Sequence, residues 1–216
     1  MQIVLRRLRS EDINQVIEIE REAFSPLWVT TPFKRELNNR YACYLVASNN
    51  LEEQTPISDE LPGVEQDAPT WRRIGSKIQG LLGKQPQANS EPTDIAGYVS
   101  VWYQGEEAHI TEIAVRESMR GNGIGELLLI GSLRAAVEYG SKVMTLEVRV
   151  SNFIAQNLYE KYAFKSVGIR KGYYSDNRED AAIMTTSPIN TEEYQRMFEE
   201  LQEAYRIRRG EIKSFD

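Results

Sequence analysis

Cysteine is nearly absent. Cys43 is the one cysteine in 216 residues, which excludes an intramolecular disulfide. Histidine is equally scarce, with His109 alone, so no Cys/His cluster exists and no metal is expected. No apolar run reaches membrane-spanning length, so no membrane span is expected. Basic charge is outweighed, with 26 Lys and Arg against 32 Asp and Glu, a net −6. The chain as a whole is therefore no binder of a phosphate backbone, and no direct contact with nucleic acid is expected. An acidic protein can still take a basic protein partner. The G-x-G-x-x-G spacing of a dinucleotide turn is missing, and so is the Gly-Lys-Ser/Thr of a P-loop. No serine sits on a nucleophile elbow. Residues 1–7 read as a strand rather than a signal peptide, which makes the cytoplasm the simplest compartment.

What is present is concentrated in residues 110–164. A strand, Ile110-Thr111-Glu112-Ile113-Ala114-Val115, leads to Arg120-Gly121-Asn122-Gly123-Ile124-Gly125, a glycine turn that opens a helix. Glycine adopts backbone angles closed to other residues and lets a ligand approach the main chain. Amides at a helix start lack intrahelical partners and carry partial positive charge. Such a turn suits a pyrophosphate, and Arg120 adds a fixed cation. Taken alone, the glycines fit an ordinary tight turn equally well. A second strand, Thr145-Leu146-Glu147-Val148-Arg149-Val150, follows, and Ser151-Asn152 starts another helix that carries Tyr159.

The rest of the chain frames this stretch. Residues 2–8 and 41–48 read as strands. Between them, Ser10 is expected to cap a helix with Glu11 and Asp12 in its first turn. Ile13, Val16, Ile17 and Phe24 form its apolar stripe. Pro32 is expected to start a short helix through Arg40. Residues 49–94 hold five of the eight prolines, and this composition predicts a mobile insertion. Within it, residues 71–82 carry apolar side chains at helical spacing beside Arg72, Arg73 and Lys77. They fit a short helix folded back on the body, or no stable element at all, better than a basic amphipathic element that touches a partner or a membrane surface, because Gly75 and Gly80 weaken a helix. Residues 95–103 read as a strand. The helix after the glycine turn buries Ile124, Leu127, Leu128 and Leu133 and ends at Gly140. Residues 164–173 and 180–186 form a hairpin. After Pro188, Thr191 caps a C-terminal helical extension, residues 189–216, striped by Tyr194, Met197, Phe198, Leu201 and Tyr205.

The combination is specific. Arg-x-x-Gly-x-Gly after Ile-Ala-Val, then Leu-Glu-Val-Arg-Val-Ser-Asn, then Leu-Tyr-Glu-Lys-Tyr-Ala-Phe resembles the GNAT superfamily of acetyl-CoA-dependent N-acetyltransferases. Arg170-Lys171-Gly172-Tyr173-Tyr174 and Arg178-Glu179-Asp180-Ala181 resemble its RimI group, which acetylates the N-terminal alanine of a small-subunit ribosomal protein. The resemblance covers about residues 1–48 and 95–187. It implies an α/β (α+β) fold: a mixed central sheet of about seven strands flanked by helices, with two parallel strands splayed apart at the cofactor. Residues 1–188 would form one such domain, interrupted by the insertion that the group's pattern lacks.

The resemblance also implies roles. Acetyl-CoA would be the co-substrate. Backbone groups of Ile113, Ala114 and Val115 would pair with its pantetheine arm, and Arg120, Gly121, Asn122, Gly123, Ile124 and Gly125 would hold its pyrophosphate. Asn152 would contact the arm, or cap its helix, or both. From the residues alone, Glu147 is equally a solvated residue or a base, and the resemblance implies the base. Tyr159 would be the general acid, its alternative being a packed tyrosine. Trp28, Glu112, Tyr173 and Tyr174 would line the acceptor site, braced by Arg178, Glu179 and Asp180. Glu112 ranks second as base, and His109 is a third candidate. The acceptor would be the free N-terminal amine of a protein, alanine first and a ribosomal protein foremost. An α-amino group titrates near neutrality, so modest base help suffices. A lysine side chain or a small amine is the alternative acceptor, and a non-catalytic acyl-CoA-binding module is the further alternative.

Overall fold

The computed structural model describes residues 3–24, 30–49, 94–210 and the backbone of 213–215. Trp28 and residues 50–93, with the expected insertion and its 71–82 element, lie outside the described residues. In chain order the elements are β1 (Val4–Arg7), α1 (Ile13–Ala23), α2 (Phe33–Glu36), β2 (Ala42–Ser48), β3 (Ile95–Gln104), β4 (Glu107–Val115) and α3 (Ile124–Tyr139). There follow β5 (Val143–Arg149), α4 (Phe153–Lys161), β6 (Phe164–Arg170), β7 (Ala181–Thr186), α5 (Glu192–Arg209) and β8 (Lys213–Phe215). One sheet holds all eight strands in the order β6-β7-β5-β4-β3-β2-β1-β8. The strand beyond the seven expected is β8, which lies parallel to β1. Among the described residues, no helix is long and apolar enough to cross a membrane.

Each face of the sheet has its own core. On one face Leu5, Val99, Val101, Ile110, Leu146 and Val148 pack with the buried run of α3, Leu127 to Leu133, with Tyr159 of α4 and with Tyr162 just after it. Tyr194, Phe198 and Tyr205 bring α5 into this same cluster, and Tyr194 OH donates to Tyr162 O at 3.0 Å. On the other face Ile13, Val16 and Ile19 of α1 and Phe33 of α2 cover Tyr44, Val46, Tyr98 and Ala114. The C-terminal helix is thus packed on the body, capped by Thr191, whose Oγ1 accepts from Tyr194 N. Gly140, at φ +89°, ends α3 as expected.

Two local expectations are corrected. Ser10 does not cap α1; it opens a 3-10 turn, Ser10–Asp12, and Asp12, the residue before α1, turns its carboxylate back to the start of that turn instead of capping α1. Asp12 Oδ2 accepts from Arg9 N at 2.8 Å, and both its oxygens take the Arg6 guanidinium, at 2.6 and 2.8 Å. Asp12 is buried by that pairing, so its position follows from a strand residue and not from the helix dipole. The helix after Pro32 closes at Glu36 rather than Arg40, because the chain turns to enter β2.

The feature that shapes the site lies in the middle of the sheet. The parallel strands β4 and β5 pair from Glu107↔Val143 only as far as Ile110↔Leu146. Beyond that point β4 pairs with β3 alone, and β5 with β7 alone. The separation starts at a bulge. Ser100 stands opposite Glu112 and Val101 opposite Ile110, so Thr111 is an extra residue in β4. Such an insertion bends the strand and sharpens its twist. It also reverses the alternation of side chains. Ala108 and Ile110 face α3, whereas Ala114, an even number of residues later, packs on the α1 side with Tyr98.

Candidate active site

The glycine turn is built as a helix entrance. Gly121 and Gly123 have φ +78° and +80°, and Gly123 is the residue before α3. The first bond inside α3 is Leu127 N to Gly123 O at 3.0 Å, so the amides ahead of it are those a helix start offers to an anion. Asn122 Nδ2 holds the turn by donating to Met119 O at 3.1 Å and Arg120 O at 3.3 Å. Arg120 Nε donates to Val115 O at 3.3 Å, tying the turn to the end of β4. Ile113, Ala114 and Val115 pair with Val99, Tyr98 and Gly97 on one side, past the last β4–β5 pair on the other. Asn152 takes its capping option: its Oδ1 accepts from Ala155 N at 3.2 Å.

Glu147 stands one residue beyond the last β4–β5 pair, with 8% of its side chain exposed. Oε2 lies 3.1 Å from His109 Nε2, and Oε1 lies 3.1 Å from Arg170 Nη2. His109 Nδ1 is 2.8 Å from Thr145 Oγ1, which donates to Glu107 Oε1 at 2.5 Å. A line of polar groups therefore runs from Glu147 along the paired part of β4 and β5 to the exposed Glu107.

Glu112, the second-ranked base, is turned to the α1 face by the bulge. Its Oε1 accepts from Thr31 Oγ1 at 2.7 Å and its Oε2 from Tyr98 OH at 2.8 Å. Burial raises its pKa, against the lowering effect of those two hydroxyls. Both of its oxygens accept hydroxyl bonds, which tie β4 to Thr31 on one side and to β3 on the other.

Tyr159 is buried on α4, its ring 5.7 Å from that of Phe164. Burial, with the neighbouring Tyr174, raises the Tyr159 phenol well above its ordinary value, so it keeps its proton at neutral pH. Tyr173 and Tyr174 meet edge to face at 5.2 Å in the turn between β6 and β7. Burial raises both phenols, with Glu147 contributing to each, and Tyr174 reaches about 12. Arg170 joins two of these groups, pairing with Glu147 while its guanidinium lies 5.6 Å from the centre of the Tyr173 ring. The turn is braced as expected. Glu179 Oε1 accepts from Ser151 N at 2.9 Å, and Asp180 Oδ1 accepts from Gly172 N at 2.8 Å. Arg178, at φ +60°, contributes through its backbone N–H to Tyr174 O at 2.8 Å.

Several partners escaped the sequence. Arg149 lies with its guanidinium 3.8 Å over the Tyr174 ring and pairs with Asp176 and Glu179 at 2.9 and 3.1 Å. Arg170 was visible only as part of a motif, and Thr145 and Glu107 carried no signal. The contact between His109 and Glu147 is readable in hindsight from the parallel register, which sets His109 opposite Thr145, two residues before Glu147. Among the described residues, no group of three or more His, Cys, Asp or Glu could hold a metal ion.

Comparison with known proteins bears on the family and the fold. A family profile described as "Acetyltransferase (GNAT) family" matches residues 57–164. A protein of Bacillus subtilis (strain 168), provisionally described as a [ribosomal protein bS18]-alanine N-acetyltransferase, is 34% identical over 181 residues, covering 83% of this chain and 92% of its own. The crystal structure of the ribosomal-protein-S18-alanine N-acetyltransferase from Escherichia coli superposes with a TM-score of 0.60 at 22% identity, over 88% of this chain and 96% of that one. A chain of the NatC complex bound to Gag peptide and CoA also gives a TM-score of 0.60, at 18% identity, over 87% of this chain and 99% of that one.

Proposed function

From the premise that this chain belongs to the GNAT acetyltransferase family, we propose that it acetylates the free N-terminal amine of a protein, alanine first, with a ribosomal protein as the foremost acceptor. Family membership makes it an N-acetyltransferase that uses acetyl-CoA. The residues present fit that co-substrate. The turn at Gly121 and Gly123 offers a helix entrance to the pyrophosphate, and the separated edges of β4 and β5 offer main-chain groups to an extended amide-bearing arm. CoA, when bound, supplies the activated acetyl thioester.

The observation that carries the N-terminal reading is that Glu147, one residue past the parting of β4 and β5, shares Arg170 with Tyr173, whose ring meets that of Tyr174. Glu147 accepts a proton from the incoming ammonium, directly or through water, and leaves a neutral amine to attack the acetyl carbonyl. A carbon–nitrogen bond forms as the carbon–sulfur bond breaks, and the nitrogen sheds its surplus proton to water. Tyr159, held protonated by burial, gives its proton to the departing thiolate and is re-protonated from solvent. Tyr173 and Tyr174 cover the acceptor's first peptide bonds, which favours a main-chain terminus over a lone side chain. The line His109–Thr145–Glu107 offers the proton taken by Glu147 a way to the surface.

The test uses labelled acetyl-CoA and two peptides of one sequence. One has a free N-terminal alanine and no lysine; the other has a blocked N-terminus and one internal lysine. Label in the first alone supports the proposal and justifies the ribosomal protein as the next substrate. Label in the second alone makes this a lysine acetyltransferase. Label in neither, with acetyl-CoA bound, points to a small amine or to a binding module.

A further inference from the structure

We propose that Arg209, the last residue of α5, is a cofactor-binding residue that takes a pyrophosphate oxygen at the glycine turn, so that the C-terminal helix completes the acetyl-CoA site. This rests on the acetyl-CoA reading given above.

The contact is direct. Arg209 Nη2 donates to Gly121 O at 3.3 Å, across 88 residues of sequence. A Cβ built on Gly123 would meet Arg209 Nε at 3.0 Å and its Cδ and Cγ at 3.4 Å. The side chain therefore lies along the turn, where the absence of a Cβ leaves room for it. A guanidinium carries five N–H donors, and one bond to Gly121 O leaves donors for phosphate oxygens. Phosphate is the group that a planar guanidinium beside free helix amides is built to recognise.

The side chain is delivered by a fixed frame. Glu126, in the first turn of α3, accepts from Tyr162 OH at 2.8 Å and Arg208 Nη2 at 3.1 Å, and it pairs with Lys161. One carboxylate thus joins the start of α3, the end of α4 and the last turn of α5. Tyr205, buried one turn before Arg209, anchors the helix to the core. Arg208 and Lys161 also offset the charge that Glu126 would otherwise set against a bound anion. Cations at a helix C-terminus are favoured by the helix dipole, so the last turn of α5 holds Arg206, Arg208 and Arg209 at little electrostatic cost. With Arg120 on the turn itself, the pyrophosphate meets two guanidiniums carried by separate elements.

The experiment is calorimetric titration of the full chain with CoA, 3′-dephospho-CoA and acetyl-pantetheine, comparing wild type, Arg209→Ala and Arg209→Lys. Arg209 is exposed, so both variants should give the wild-type circular dichroism spectrum. The expected result for Arg209→Ala is affinity weakened about 10- to 100-fold for CoA, the size of a charge-assisted hydrogen bond. The same factor is expected for 3′-dephospho-CoA, which keeps the pyrophosphate, with partial recovery in Arg209→Lys. Acetyl-pantetheine, which has no phosphate, should bind wild type and variant alike. Unchanged CoA affinity in Arg209→Ala would overturn the assignment. So would an equal loss with acetyl-pantetheine, because Arg209 would then act by packing the turn. A wild type that binds none of the three ligands would instead refute the acetyl-CoA reading itself.

Discussion

His109 Nε2 lies 3.1 Å from Glu147 Oε2, across the point where β4 and β5 part. Glu147 stands just past the last paired position, and His109 stands within the paired part. Glu147→Gln keeps the shape and removes the base. Turnover should fall by about 10²–10⁴, the usual worth of a positioned base, with CoA affinity unchanged. His109→Ala removes an orienting neighbour and should cost less than Glu147→Gln. Steady-state kinetics on an N-terminal peptide, beside CoA calorimetry, checks both. Equal turnover in wild type and Glu147→Gln would take Glu147 out of the mechanism.

Tyr159→Phe keeps the ring against Phe164 and removes only the hydroxyl. Thermal stability should change little, while kcat falls by about 10²-fold or more. Release of free CoA thiol, followed colorimetrically, reports the step affected. A variant as active as wild type would leave Tyr159 a packing residue.

Gly123→Ala places a side chain at φ +80°, a left-handed conformation that costs an L-residue about 1–2 kcal/mol. The new methyl would also press on Arg209 at 3.0 Å. The urea midpoint should fall, and the KM for acetyl-CoA should rise more than the KM for peptide. An unchanged KM for acetyl-CoA would move the phosphate site away from this turn.

Glu112 sets a pH dependence whose sign follows from its burial. Its folded pKa is raised above the ordinary 4.5, chiefly by desolvation. Below that ordinary value the carboxyl is protonated in folded and unfolded chains alike. As pH rises from there through the folded pKa, the unfolded chain releases the proton first, and the folded state loses relative stability. Gln has no proton to release. The stability of wild type minus that of Glu112→Gln should therefore fall with rising pH. Urea denaturation at about pH 4 and about pH 7 measures the difference. A difference that grows with pH would contradict a desolvated carboxyl.

The parts of the chain legible in its sequence are those written in contiguous residues. Arg120 to Gly125 announced a helix entrance, Thr191 a cap and Gly140 a stop, because each acts through its own backbone angles or local bonds. What stayed hidden depends on residues brought together by the fold. Asp12 looked like a first-turn acid until Arg6 was found across from it. The bulge at Thr111 has no glycine to mark it, yet it decides which face Glu112 occupies. His109 meets Glu147 only through the parallel register, and Arg209 reaches Gly121 only because α5 packs back on α3 and α4. Roles for Glu147 and Tyr159 came from a pattern shared with a family, not from anything their own positions in the sequence announce.

The parting of β4 from β5 also bears on how the protein avoids sticking to itself. A sheet with exposed main-chain donors and acceptors at its rim is a template for pairing with other chains. Here a comparable edge is opened in the interior, between two strands whose other sides are already paired to β3 and β7. A whole foreign sheet cannot enter there, because the neighbouring strands stand in its way. Only something as thin as one extended chain can reach those groups. The protein can therefore show bare backbone to a slender ligand without offering aggregating strands a place to begin.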